Sequence, residues 1–437
     1  MQVARPLQFR VRPGGRLRGR VRVPGDKSIS HRGVMLGAIA EGITRIDGFL
    51  RAADCLATIS AFRAMGVRID EDANGEVRVH GVGLRGLKAA SSALDLGNSG
   101  TSMRLLAGLL CGQAFNSELR GDASLNRRPM RRIAEPLRGM GAVIQTSEQG
   151  TPPLRIHGRR LRGAPYRMPM ASAQVKSSIL LAGLYAHGET TVIEPEPTRD
   201  HTERMLTGFG CTVRRDANRV TVRGGGTLKA TLIDVPSDIS TAAFFMVGAS
   251  IAPGSELVLE RVGVNPTRSG VIEILRRMGA NIMVLDEGIV GGEPVADLRV
   301  KHASLQGIPI PRALVPLAID EFPAIFIAAA CARGTTVLNG AEELRVKESD
   351  RIEAAAAGLR ACGITAETTF NGMVIHGGRM RGGLVDSHGD HRIAMAFAMG
   401  GLAADGEIIV QDCDNVATSF PGFPALAREA GLDISVL

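Results

Sequence analysis

The sequence predicts an α/β protein of two domains, each built from three copies of one unit, and three observations lead there. A chain of 437 residues with 44% hydrophobic and 22% charged residues has a globular composition and the length for two separate cores. One phrase, an amphipathic helix closed by Gly and followed by an apolar run, recurs at 61–69, 135–144, 203–213, 273–282, 355–364 and 425–434. A second helix with its own strand precedes each copy.

In chain order, the opening run Leu17-Arg18-Gly19-Arg20-Val21-Arg22-Val23 alternates apolar and polar residues. It fits a strand with one solvated face better than a mitochondrial presequence. The helix before the phrase is clearest in 23–48, 168–195 and 235–262, each with a polar, Ser-rich lead-in, an Ala/Leu-rich helix, a Gly stop and a strand. The other three begin near Leu96, Val315 and Val385. The closing glycines Gly66, Gly141, Gly210, Gly279, Gly363 and Gly431 stand where a helix C-terminus takes a left-handed residue, with gaps of 75, 69, 69, 84 and 68 residues. Each unit reads strand, helix, strand, helix, strand, too long for a solenoid repeat and too short to be stable alone, so six cluster as two groups of three.

Composition narrows function. The formal net charge is +8, from 52 Lys and Arg against 44 Asp and Glu, spread as single Arg residues rather than gathered into a tail. That pattern suits small acidic ligands better than a nucleic-acid track, and a chain with no Trp and 2 Tyr lacks the stacking platforms of single-strand binders. No apolar run approaches the roughly 18 residues of a membrane span, and the opening residues lack an export signal's apolar core. The six Cys are scattered, without CxxC or zinc spacing, so they read as reduced thiols in a cytoplasmic protein.

The chemistry collects at the lead-ins to the first helices, where free N–H groups and the positive end of the dipole favour anions. The first lead-in holds Lys27, Ser28, Ser30, His31 and Arg32, and lacks the glycine spacing of an ATP-binding loop. GNSGTSMR (97–104) adds Asn98, Gly100 and Thr101 in a flexible turn that allows close backbone approach. Gln174, Lys176 and Arg199 follow, whereas Arg127, Arg131 and Arg132 read as a solvated face. The C-terminal half sets acids beside bases in AIDEF (318–322), EELRVKESDR (342–351) and DSHGDHR (386–392). Lys347, Glu348 and Arg351 are expected within one helical turn, so that a cationic clamp and a carboxylate point the same way. Asp386, His388, Asp390 and His391 have metal-ligand chemistry, but the cluster is consecutive and no Cys or Glu completes it nearby, so no metal is expected.

The motifs PGDKSISHR, LGNSGTSMR, GDASLNRRPM, MASAQVKSS, RVKESDR and GDHRIAM, in this order across nearly the whole chain, resemble those of the 5-enolpyruvylshikimate-3-phosphate synthase family. The resemblance implies a two-domain inside-out α/β barrel of six βαβαββ units arranged as two pseudo-threefold domains. Residues 24–235 would form the first domain and 1–23 plus 236–437 the second, with two hinge crossings and helix N-termini of both facing a cleft. It implies transfer of the enolpyruvyl group of phosphoenolpyruvate to the 5-hydroxyl of 3-phosphoshikimate, releasing phosphate, through a tetrahedral intermediate. No metal or organic cofactor, no nucleic acid and no membrane is implied, and the protein would be a monomer.

Carried over motif by motif, Lys27 would contact both substrates and count with Asp320 and Glu348 among the catalytic residues. Ser28, Arg32, Ser172, Gln174, Arg199, Asp320 and Lys347 would hold 3-phosphoshikimate. Asn98, Gly100, Arg128, Gln174, Arg351 and Arg392 would hold phosphoenolpyruvate. Asp320 would be the base at the hydroxyl and Glu348 the acid at the methylene, with Lys347 between them and His391 beside the reacting centre. The chain departs from many members at Ala173, Glu343 and Thr418, so contacts made there are not carried over. Gly100 stands where glyphosate-tolerant members carry Ala, which implies sensitivity. Two other readings compete. A UDP-N-acetylglucosamine enolpyruvyl transferase usually carries Lys-Asn where this chain has Lys27-Ser28, and it needs an exposed Cys. A basic nucleic-acid-binding protein leaves Asp320 and Glu348 unexplained.

Overall fold

The computed structural model describes residues 6–73 and 75–437; the first five residues of the predicted opening segment and Asn74 lie outside them. The chain divides into two compact units. The N-terminal unit holds Gly25–Val235 and Ile289–Glu293; the C-terminal unit holds the residues up to Pro24, Pro236–Gly288 and Pro294–Leu437. Each has its own apolar core.

Twelve α-helices lie among the described residues. The N-terminal unit contains α1 (Lys27–Ile39), α2 (Ala53–Ala64), α3 (Gly100–Cys111), α4 (Arg131–Gly139), α5 (Ala173–Gly183) and α6 (His201–Gly208). The C-terminal unit contains α7 (Ile239–Ile251), α8 (Gly270–Arg277), α9 (Phe322–Ala330), α10 (Arg351–Ala361), α11 (His391–Gly400) and α12 (Phe423–Ala430). Odd-numbered helices are the first of each unit, even-numbered ones the second. None is long and apolar enough to cross a membrane.

The sheets repeat one order. Leu94–Asp95 runs parallel to Asn116–Arg120, which pairs antiparallel with Leu154–His157, which pairs antiparallel with Val143–Gln145. The same arrangement follows α5 and α6, and it recurs around α1 and α2. In the C-terminal unit, the sheet after α11 takes its antiparallel partner from Phe9–Val11, near the chain start. The sheet after α9 has three strands, to which residues 306 and 309 add isolated parallel bridges. The sequence therefore shows its βαβαββ units in space.

The outer parallel strand of two units is exchanged. Arg18–Val21 immediately precedes α1 in sequence but pairs with Glu256–Gly263, after α7. Leu232–Asp234 precedes α7 but pairs with Glu41–Asp47, after α1. Each passage between units thus runs from a strand of one sheet family to a first helix of the other.

Helix composition decides what lies inside. Residues of α7 and α9 are buried all round, as their uninterrupted apolar sequences require. In the C-terminal unit α7, α9 and α11 pack on one another; in the N-terminal unit α3 packs on α1 and α5. The approach of α3 to α5 needs glycine, because a Cβ at Gly108 would lie 2.0 Å from the Ser178 carbonyl oxygen. The second helices are amphipathic: α8 buries Val271, Ile272, Ile274 and Leu275 along one face. Helices form the interior and sheets the outer layer, the inside-out α/β arrangement.

All six predicted stop glycines are left-handed, with φ from +78° at Gly363 to +117° at Gly431. The sequence did not reveal a companion device. Three residues before five of these glycines stands an Arg that donates to a carbonyl of the following strand: Arg63 to Ile69, Arg138 to Ile144, Arg276 to Ile282, Arg360 to Ala366 and Arg428 to Ile434. In the sixth copy the position is Thr207, which bonds back to the Glu203 carbonyl instead.

Gly139 and Gly141 separate helix propensity from left-handed geometry, because an added Cβ meets nothing within 4 Å at either and only Gly141 has positive φ, +93°. Gly139→Ala should raise stability by about 0.5–1 kcal/mol, and Gly141→Ala should lower it by about 1–2 kcal/mol. Urea unfolding checks both; changes of the same sign would contradict the left-handed stop.

Candidate active site

In the N-terminal unit, the first turns of α1, α3 and α5 are tied together by side chains. Asp26 caps α1 by accepting from the Ile29 N–H at 2.8 Å, Ser99 caps α3 and Ser172 caps α5. Arg32 lies buried, donating Nε to Thr202 Oγ1 at 2.6 Å, Nη2 to Ser177 Oγ at 2.9 Å and Nη1 to the Ser28 carbonyl at 3.0 Å. It thereby joins α1 to α5 and α6. Lys27, at the start of α1, forms an ion pair with Asp54 of α2.

The flexible turn before α3 holds Asn98, whose Nδ2 donates to Asp122 at 2.7 Å and whose Oδ1 accepts from Arg128 Nη2 at 2.6 Å. Gly100 is buried next to two guanidiniums: a Cβ there would sit 3.0 Å from Arg104 Nη1 and 3.1 Å from Arg128 Nη1. Arg104 also donates to Gln174 Oε1, and Gln174 Nε2 donates to Thr101 Oγ1 at 3.0 Å. Arg104 was not among the residues the sequence singled out. The available signal was its spacing, one helical turn from Gly100 on the same face of α3.

Lys27, Arg32, Arg104 and Arg128 thus gather around three helix N-termini, an arrangement suited to phosphate and carboxylate groups. Arg199 is half-buried in the loop before α6. Lys176 is different: it is completely buried and its ammonium is engaged by Glu194 and Glu203, so it is not a ligand-facing cation. Arg127 and Arg131 are exposed, as expected of a solvated face, while Arg132 is half-buried.

In the C-terminal unit, the starts of α7, α9, α10 and α11 are also joined. Ser240 of α7 donates to Glu321, the residue before α9. Arg392 of α11 donates Nη1 to the Asp320 carbonyl at 2.9 Å. Arg351, only 1% exposed, opens α10 and gathers three carboxylates: Asp390 on Nε at 2.8 Å, Glu348 on Nη2 at 2.6 Å and Asp320 near Nη1 at 3.4 Å. Lys347 Nζ lies 3.3 Å from Asp320 Oδ1 and 3.0 Å from Glu343 Oε1. His391 is buried beside Asp390 at the start of α11.

One sequence expectation needs correction here. Lys347, Glu348 and Arg351 do not share one helical turn: Lys347 follows a 3-10 turn, Glu342–Val346, and Asp350 caps a new helix at Arg351. Lys347 and Arg351 still converge on Asp320, and Glu348 joins them through Arg351. Asp390 is committed to Arg351 and to capping α11, accepting from the Arg392 N–H at 2.9 Å. Burial would raise its pKa, but the charge and hydrogen bonds of Arg351, helped by His391, hold its carboxyl below the usual range. Burial would likewise lower Arg351, yet Asp390, Glu348 and Asp320 raise it, so the guanidinium stays charged. Among the described residues no cluster of three or more His, Cys, Asp or Glu is arranged to hold a metal ion.

His31, on α1 of the N-terminal unit, is fully buried, with Nδ1 2.7 Å from Thr58 Oγ1 and 3.4 Å from Ser102 Oγ. Burial first, then the charges of Lys27 and Arg32, push it well below its ordinary 6.5, so the ring is neutral. Below that pH the unfolded chain takes up a proton that the folded one refuses, so stability falls as pH drops from about 6.5, by up to about 1.4 kcal/mol per pH unit. Urea unfolding between pH 7.5 and 5.5 should show this loss, and His31→Gln should lack that component. Equal pH dependence in both proteins would contradict it.

Known proteins place these residues in context. The model of the EPSP synthase (3-phosphoshikimate 1-carboxyvinyltransferase) family matches residues 11–426. The 3-phosphoshikimate 1-carboxyvinyltransferase of Methylococcus capsulatus is 66% identical over 98% of this chain and 98% of its own. The solved EPSP synthase of Acinetobacter baumannii superposes with a TM-score of 0.88 at 58% identity, covering 99% of this chain and 100% of its own. The enolpyruvyl transferase NikO of Streptomyces tendae, at 18% identity and a TM-score of 0.79 over 99% of each chain, shares the fold. A match this long, at this identity and with the six motifs in order, means that the chain belongs to the EPSP synthase family.

Proposed function

We propose that this enzyme moves the enolpyruvyl group of phosphoenolpyruvate onto the 5-hydroxyl of 3-phosphoshikimate and releases phosphate, using the residues of both units described above. The observation that carries the reading is the Arg351 cluster, in which one buried guanidinium engages Asp320 and Glu348 while Lys347 lies against Asp320. Two carboxylates joined by one rigid fork suit a reaction that removes a proton from a hydroxyl and delivers one to a carbon. The cations around α1, α3 and α5 complement two polyanionic substrates.

In this reading Ser28, Arg32, Ser172, Gln174 and Arg199 hold 3-phosphoshikimate with Asp320 and Lys347. Asn98, Gly100, Arg128, Gln174, Arg351 and Arg392 hold phosphoenolpyruvate, and Lys27 touches both. Asp320 takes the proton of the attacking hydroxyl as its oxygen bonds to the donor's C2, and Glu348 protonates the methylene. Loss of a methyl proton and departure of phosphate then restore the double bond. The relatives carry this activity in their names, which favours a 3-phosphoshikimate acceptor over UDP-N-acetylglucosamine or a nucleic acid. We further place the protein in the cytoplasm as a monomer, a setting consistent with six free cysteines.

Purified protein given both substrates without added metal should release stoichiometric phosphate, and omission of either substrate should abolish it. Phosphate release with UDP-N-acetylglucosamine instead would overturn the reading. Glu348→Gln should lower kcat by about 10²–10⁴ while both substrates still bind, and a fully active variant would remove the assigned acid role. The clearance at Gly100 makes Gly100→Ala crowd Arg104 and Arg128, so glyphosate inhibition should weaken about tenfold or more. Equal inhibition of the two proteins would count against that prediction.

A further inference from the structure

Lys176 lies on α5, two residues beyond Gln174 and next to Ser177, with no exposed surface. Its Nζ is 3.0 Å from Glu194 Oε1 and 2.6 Å from Glu203 Oε1, and it donates to the Thr198 carbonyl at 3.3 Å. The ammonium thus makes one hydrogen bond, to the Thr198 carbonyl, and two buried ion pairs, to Glu194 and Glu203. A buried ion pair is seldom better for stability than apolar side chains of similar volume. The choice of lysine here therefore needs another explanation.

That explanation lies in where the three acceptors sit. Glu194 directly follows the strand Glu189–Ile193, Thr198 is in the next loop, and Glu203 is in the first turn of α6. Glu194 Oε1 also accepts from the Thr198 N–H at 3.1 Å and from the Thr198 hydroxyl, closing the loop on itself. Arg199 is the next residue. Arg215 flanks the cluster, with Nη2 3.7 Å from Glu194 Oε2 and Nη1 3.9 Å from Glu203 Oε1. On the other side, Ser177 accepts from Arg32 Nη2 at 2.9 Å and from the Thr202 hydroxyl at 2.7 Å. The loop bearing Arg199 and the helix start bearing Ser172 and Gln174 are thus tied to each other through one buried charge cluster centred on Lys176, and Ser177 links that helix to Arg32.

We propose that Lys176 is a positioning residue for the acceptor: it fixes the 194–200 loop on α5 and so sets the affinity for 3-phosphoshikimate without touching it. The inference rests on the reading above that Arg32, Ser172, Gln174 and Arg199 hold that substrate. Lys176→Met removes the centre of that cluster. Thr198→Val loosens the same loop while leaving every charge in place, so it remains informative if Lys176→Met does not fold. Steady-state kinetics and melting temperature would be measured for both, with Arg199→Ala as the reference.

The expected result is a KM for 3-phosphoshikimate raised about three- to tenfold in Thr198→Val, and further in Lys176→Met. KM for phosphoenolpyruvate and kcat at saturation should stay within about twofold. A purely structural lysine would lower the melting temperature and the active fraction with both KM values unchanged. That outcome, or equal rises in both KM values, would overturn the proposal while Arg199→Ala still weakens 3-phosphoshikimate. No change in Arg199→Ala would overturn the site assignment itself, and the proposal with it.

Discussion

Everything in this molecule depends on burying apolar first helices against one another. In α7 and α9 no face is left polar enough for solvent, and each buried aliphatic or aromatic side chain contributes about 1.5–3 kcal/mol. A helix buried along its length still has to satisfy the N–H groups of its first turn. Five of the six first helices meet that demand with polar caps, Asp26, Ser99, Ser172, Asp238 and Asp390, whereas α9 has a Pro in its first turn and no side-chain cap. Within each unit the capped ends are joined to one another. The site is what packing leaves at the starts of the helices.

The two units use this shared geometry for different chemistry. In the N-terminal unit the cross-links run through hydroxyls and an amide, as in Arg32 to Ser177 and Arg104 to Gln174. Lys27 differs, pairing with the carboxylate of Asp54. In the C-terminal unit they run through carboxylates, with Arg351 gathering Asp390, Glu348 and Asp320. Asp390 fixes the orientation of the guanidinium from its buried side, and Asp320 and Glu348, the two carboxylates of the proposed proton transfer, are only half-buried. In the proposed reaction both units supply cations for the substrates, and the C-terminal unit also supplies the two carboxylates assigned to proton transfer.

Local signals made much of this legible. A left-handed glycine at a helix stop is a backbone requirement, and all six were visible as a repeated phrase before any contact was known. The motif residues were legible for a similar reason, since helix starts are local. What sequence could not show depends on distant partners. Lys176 reads like any cation in a Ser-rich lead-in until Glu194 and Glu203 fold onto it. Asp390, for which no metal was expected, had no assigned partner in the sequence until Arg351 folded beside it. The break before Arg351 was hidden because EELRVKESDR has a helix former's composition, and only the Asp350 cap shows where the new helix begins. The exchanged strands around Pro24 and Pro236 are equally nonlocal, because each is adjacent in sequence to a helix of the unit it does not join.

The assignment of Arg32 to 3-phosphoshikimate and of Arg351 to phosphoenolpyruvate is most directly tested by calorimetric titration of 3-phosphoshikimate alone into the protein, Arg32→Lys and Arg351→Lys. Lysine keeps the charge at each site and removes the fork. The account predicts markedly weaker binding in Arg32→Lys and nearly unchanged binding in Arg351→Lys. Equal weakening in the two variants, or weakening confined to Arg351→Lys, would contradict it.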